Sequence, residues 1–206
     1  MILISLEYLN IKLNYLLSFN PKNINDFIPL IRVAPTRLLA VQNIMRKERN
    51  HIPEGNRIYY FTKRLEVDPA LVCKYFSTHM FMFDIQFDML AQNLKILMEY
   101  KVQPINILRD LWAFKYLPKS VKMRLDRAQK AQKEKIMPWM VRCPEKILQK
   151  SLKLSVDSRN CLGEHQSVVA YLSERLGYDL ETTQQISNKH EAILKVRVTK
   201  VSLNTS

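Results

Sequence analysis

Glycine is nearly absent from this chain: only Gly55, Gly163 and Gly177 occur in 206 residues. Folds rich in tight turns use far more. No GxGxxG or GxxxxGK occurs either, which removes the loops that cradle nucleotide phosphates. Cysteine is almost as sparse. Cys73, Cys143 and Cys161 are widely spaced and odd in number, which excludes a disulfide framework and a CxxC metal pair and points to a reducing compartment. The histidines His51, His79, His165 and His190 are scattered. Cys161 and His165 stand four apart, but two ligands without further partners do not make a metal site. No serine, cysteine or carboxylate has a base at a catalytic spacing. The expectation is a protein that is not an enzyme and that uses no cofactor and no metal.

A long apolar run is also missing. The opening MILISLEYLNIKLNYLL is apolar at positions 2, 6, 9, 13 and 16, but Glu7, Asn10, Lys12 and Asn14 interrupt it at helical spacing. That pattern predicts an amphipathic helix too polar to span a bilayer, so no membrane partner is expected. It lacks the arginine-rich, acid-free character of a mitochondrial presequence and has no secretory cleavage pattern.

Basic residues, by contrast, are in excess. Lys and Arg number 32 against 19 acids, a formal net charge of +13. Such a balance is an electrostatic footprint for a polyanion, with nucleic acid or anionic lipid as the leading classes. The charge is concentrated: residues 119–153 carry eleven Lys/Arg against three acids, whereas the stretch from Leu154 onward has six of each. With 47% hydrophobic residues there is enough apolar material for a core along the whole chain.

That apolar material repeats. FNPKNI at 19–24, VDPALV at 67–72 and VQPINI at 102–107 each read apolar, polar, Pro, two variable residues, aliphatic. Aligned on Phe19, Val67 and Val102, the copies place Leu13, Phe61 and Ile96 in one upstream column and Leu17, Leu65 and Tyr100 in another. A fourth copy at Tyr178 keeps Leu172 and Leu176, with Leu180 where the proline stood. Columns four residues apart share one helical face, so each copy should end a helix at its anchor. The proline two residues later suits the first turn of the next helix, where its missing N–H would be unpaired anyway. A second proline, Pro35 or Pro118, with Phe83 and Leu194 in the other copies, breaks the chain again. The result is about three short helical elements per repeat. Copies two and three are 35 residues apart, inside the ~34–47 range of helical solenoid repeats. A degenerate copy is expected at 128–144, because RCPEKIL at 142–148 echoes VAPTRLL at 33–39. The fold class expected is all-α, a helical-repeat solenoid, with residues 1–206 forming a single domain of about five repeats anchored near 19, 67, 102, 128–144 and 178. A helical bundle whose leucines happen to align is the competing reading, and the recurring prolines argue against it.

Helix, short turn, Pro-containing helix and a later hxxPxxL element resemble the mitochondrial transcription termination factor (mTERF) family over essentially the whole chain. LRDLWAFKYLPKSVKMRLDRAQK and IMPWMVRCPEKILQKSLKLS resemble its insect members most. The resemblance implies a left-handed superhelix of short three-helix repeats that wraps double-stranded DNA along a basic concave face and stops transcription in mitochondria. Members of the family normally carry a presequence and more repeats. A chain whose first repeat begins at Met1 and whose last ends in VTKVSLNTS, without a polar capping helix, is therefore expected to be truncated at both ends.

Candidate contacts follow from this. The segment from Lys119 to Lys135 is expected to be helical, with Lys119, Lys122, Arg127, Lys130 and Lys133 in one broad stripe opposite Val121, Leu125, Ala128 and Ile136. A charged stripe is most often a solvated face. The scarcity of acids here favours a phosphate-backbone contact, which positions a protein without reading sequence. Reading bases calls for arginine, whose planar fork pairs bidentately with a guanine edge. Arg37, Arg124, Arg142 and Arg197 are the candidates, with Arg46 and Arg49 behind them, and Arg37 and Arg142 favoured because they flank the second proline. Among the aromatics most belong to the core, Trp112 and Phe114 included, although the resemblance implies that some members of the family flip bases. The expected function is double-stranded DNA binding by a monomer in mitochondria, terminating transcription by occupying a site and blocking the polymerase. Structured RNA such as ribosomal RNA is one alternative. A protein-interaction solenoid of the HEAT or tetratricopeptide type is the other, and salt-insensitive binding would favour it.

Overall fold

The computed structural model describes residues 6–162, 165 and 167–189. Among them are eleven α-helices, three 3-10 helices and no strand. The α-helices are α1 (Leu6–Ser18), α2 (Pro35–Glu48), α3 (Arg57–Leu65), α4 (Pro69–Thr78), α5 (Phe87–Glu99), α6 (Pro104–Arg109), α7 (Pro118–Lys130), α8 (Trp139–Arg142), α9 (Glu145–Leu162), α10 (Val168–Leu176) and α11 (Leu180–Lys189). The 3-10 helices are Ile24–Arg32, Met80–Phe83 and Leu111–Lys115. The all-α helical-repeat class read from the sequence is the class observed.

Each repeat anchor sits at a helix stop, and the stop has a common mechanism. Glu66, Lys101 and Gly177 immediately precede Val67, Val102 and Tyr178, and all three have left-handed backbones, with φ of 53°, 55° and 71°. At two of these stops the anchor N–H then reaches back five residues: Val67 donates to the Thr62 carbonyl at 3.3 Å and Val102 to the Leu97 carbonyl at 3.1 Å. This closes the last turn of the helix and satisfies a carbonyl that would otherwise be orphaned. Two residues on, Pro69 and Pro104 occupy the first turn of α4 and α6. Asp68 caps α4 by accepting from the N–H groups of Ala70 and Leu71. The first copy departs from this pattern. Asn20, after Phe19, is the left-handed residue there, and Asn23 caps the following 3-10 helix, so Pro21 lies ahead of that helix and not inside its first turn. The second prolines, Pro35 and Pro118, open α2 and α7. One helix serves twice: α5 closes the second copy and supplies the upstream helix of the third, which explains why their anchors are closer together than those of the first two.

Helix α7 is shorter than the sequence suggests. It stops at Lys130, Gln132 turns left-handed at φ 48°, and the Lys133 N–H donates to the Ala128 carbonyl at 3.0 Å. That is the same stop as at Val67 and Val102. It falls where the degenerate copy was expected, without the apolar anchor and proline that would have marked it. Residues 131–135 are therefore not helical.

Packing divides the chain into two compact units: residues 1–125 with 135–142, and residues 126–134 with 143–206. In the first unit α4 lies on the 3-10 helix 24–32 and α1 on α2. Its core is aromatic. Phe61 meets Phe76 and Phe114 at ring distances of 5.1 and 5.4 Å, Phe76 meets Phe83 at 5.6 Å, and Phe27 meets Phe19 and Tyr59 at 5.7 Å each. Buried polar groups stitch it. Asn93 donates to the Phe114 and Tyr116 carbonyls, Arg57 pairs with Glu48 and donates to the Met82 carbonyl, and Lys12 donates to the Ile31 carbonyl. Lys12, which reads as part of a polar face, is thus buried. In the second unit the buried apolar residues among those described are Ala128, Leu148, Val169 and Tyr171, beside buried Thr183 and Ser187.

Candidate nucleic-acid interface

The lysines of α7 are open charges. Lys119 and Lys122, in the first unit, and Lys130, in the second, are all exposed, and none forms an ion pair with a described residue. The helix exposes them because Val121, Leu125 and Ala128 face inward and are fully buried. Arg127 differs: its guanidinium holds Glu145 through two contacts of 2.5 and 3.1 Å. Hydrogen bonding to that carboxylate raises its pKa further. Lys133 lies beyond the helix end and is half-buried, so helical arithmetic does not place it with the other lysines.

The candidate base-reading arginines are engaged within the protein. Arg37 donates to Asp84 at 2.6 Å and to the Met80 carbonyl at 3.1 Å. The Arg142 Nε lies 2.9 Å from both oxygens of Asp110. Arg124 donates to the Val141 and Met140 carbonyls at 2.7 and 3.3 Å, closing the C-terminal end of α8. Arg46 and Arg49 are exposed at the end of α2. Arg197 lies outside the described residues, as do His190 and Leu194.

The aromatic expectation needs one correction. Phe114 is buried, but Trp112 is 45% exposed. Its ring lies 4.9 Å from that of Phe81, His79 approaches both edge-on, and the Lys115 amine sits 4.3 Å from the Trp112 ring and 4.4 Å from that of Phe81. The physical reason is the 3-10 helix 111–115: residues three apart eclipse in that geometry, which brings Lys115 over Trp112 as a cation–π pair. The i, i+3 spacing of Trp112 and Lys115 was the available signal, but a 3-10 turn has to be known before it means contact. Sequence reasoning also missed Arg57, a buried cation of the first unit, and Arg32 and Lys74, exposed cations from two packed elements. Among the described residues no cluster of three or more His, Cys, Asp or Glu could hold a metal ion, and no helix is long and apolar enough to cross a membrane.

Fold and surface together define an all-α helical-repeat protein with a lysine-bearing helix. Neither a family model nor a solved structure matches the chain. A curated protein does: over 193 residues the chain is 48% identical to "Transcription termination factor, mitochondrial" of Drosophila melanogaster. The match takes in 94% of this chain and 47% of that protein, so the chain spans about half the length of its relative. It belongs to the mitochondrial transcription termination factor family.

Proposed function

We propose that this protein acts in mitochondria in transcription termination, binding double-stranded DNA and obstructing the polymerase by occupancy, without catalysis. The observation that carries the reading is the 48% identity to a mitochondrial transcription termination factor across nearly the whole chain. The exposed lysines of α7 support it, since they are cations without carboxylate partners among the described residues. Lys119, Lys122 and Lys130 take phosphates. Arg127 contributes less, because Glu145 already neutralises it. For Arg37 and Arg142, base readout requires exchanging Asp84 or Asp110 for a guanine edge. The Arg37–Asp84 pair is exposed and worth about 0–1 kcal/mol against about 1–3 kcal/mol for a bidentate guanine contact, so the exchange favours DNA wherever guanine is in place. Asp110 is only 15% exposed, which makes the exchange costlier for Arg142. Arg124 holds the end of α8 and acts as a positioning residue.

The test is binding of the chain to duplex DNA, duplex RNA and single-stranded DNA over a salt series. A phosphate interface loses affinity steeply with salt, with a slope of about 0.9 per phosphate neutralised. Lys119→Glu/Lys122→Glu/Lys130→Glu should weaken binding to every duplex sequence and flatten the slope, and unchanged affinity removes α7 from the interface. Arg142→Ala should instead relax discrimination at one base position.

A further inference from the structure

The first unit carries a groove that the DNA reading does not use. It opens where the 3-10 helix 24–32 meets α4, with a volume of about 620 Å3. Ile28, Ile31, Val33 and Met80 give it apolar walls, and its polar lining includes the cations Arg32 and Lys74 beside the hydroxyls of Ser77 and Thr78. Ile28 is 46% exposed, although it belongs to the same short helix as fully buried Phe27 and Leu30. Both cations are exposed, and neither forms an ion pair with a described residue. Arg37, whose guanidinium binds the carbonyl of groove residue Met80, is by contrast held by Asp84. Among the described residues, one cation near this surface is therefore neutralised and two are open beside apolar walls.

This combination selects its occupant. A phosphate backbone would satisfy Arg32 and Lys74 but leave the apolar walls against water. A second copy of a chain with net charge +13 would bring like charge to the same place. A neutral apolar peptide would fill the walls and strip water from two unpaired cations. We propose that the groove docks an acidic segment of a partner protein, inserting an aliphatic or aromatic side chain between Ile28 and Met80 while flanking carboxylates pair with Arg32 and Lys74. The volume lies within the range of about 300–1,000 Å3 typical of specific sites.

The probe is a set of short random peptides displayed on phage, selected against the full chain and then remade with a fluorescent label. Enriched peptides should carry a large apolar residue flanked by Asp or Glu. Arg32→Glu/Lys74→Glu should weaken their binding by about tenfold or more, and Arg32→Gln/Lys74→Gln should weaken it less, in the same order. Lys47→Glu/Lys101→Glu, which makes the same charge change away from the groove, should cost less than about twofold, as distant exposed charges are screened. Ile28→Asp should abolish binding with the helical circular dichroism retained. Duplex DNA affinity should fall no further in the groove pair than in the control pair. The proposal is overturned by failure to enrich any peptide, by enrichment without acidic bias, by equal losses in the groove and control pairs, or by a selective loss of DNA affinity in the groove pair. The peptide arm contains no DNA, so its outcome is separate from that of the termination reading.

Discussion

The two units build the same repeat and close it to different degrees. Leu17, Leu65 and Leu176 occupy one column of the repeat, two residues before their anchors, yet only the second copy, in the first unit, covers it: Leu65 is 3% exposed, against 57% for Leu17 and 58% for Leu176. The anchors differ in the same direction: Val102 is buried and Tyr178 is exposed. In the first unit neighbouring helices bring Phe61, Phe76, Phe83 and Phe114 against one another. In the second, among the described residues, Leu176, Tyr178, Leu180 and Ile186 all face solvent. A solenoid repeat cannot bury its apolar face alone, so the repeat pattern marks which residues need a neighbour without saying whether one is there.

The largest expected contrast is electrostatic. Arg57→Ala leaves Glu48 and the Met82 carbonyl without their buried cation and should cost about 3–5 kcal/mol, whereas Arg127→Ala, in an exposed pair of the second unit, should cost under about 1 kcal/mol. Urea unfolding measures both, and similar values would erase the distinction between the units. Next comes the matched column: Leu65→Ala should cost about 2–5 kcal/mol and Leu176→Ala no more than about 0.5 kcal/mol. A large loss at Leu176 would show that its face is covered in solution.

Thiol chemistry sharpens the comparison without changing the fold. Cys73 is fully buried, and burial pushes its thiol up to about 12, against the weaker opposing effect of a hydrogen bond from the Leu30 backbone. It should resist a disulfide reagent at neutral pH until the chain unfolds, while half-buried Cys143, in the second unit, should react sooner. Peptide mapping of the labelled sites decides the order.

The smallest effect is confined to alkali. Burial and the hydrogen bond donated to Asp26 raise the Tyr59 phenol to about 12. Because the folded pKa exceeds the unfolded value near 10, this contribution to stability is complete below pH 10 and is lost as pH rises towards 12. Absorbance near 295 nm should show a late tyrosine step that disappears in Tyr59→Phe.

Much of the fold was legible because its signals are local. The prolines that open α2, α4, α6 and α7, the capping Asp68 and the four-residue apolar spacing act within a turn or two of chain. The stop at Gln132 was missed because a left-handed residue without glycine, apolar anchor or following proline leaves no compositional trace. Trp112 was misplaced because its neighbours in sequence are apolar, while its neighbours in space are Phe81, His79 and a lysine.

Sequence by itself determined that this protein is all-α, where most of its helices stop, and that it carries an excess of positive charge with a concentration after residue 118. Tertiary structure alone decided which of those charges are available. Arg37 meets Asp84 across 47 residues and Arg142 meets Asp110 across 32, whereas Lys119, Lys122 and Lys130 find no carboxylate among the described residues. Helix formation is a short-range matter of backbone hydrogen bonds and periodicity. Neutralising a charge or covering a leucine needs a partner distant in sequence, and only the packing of helices brings that partner within reach.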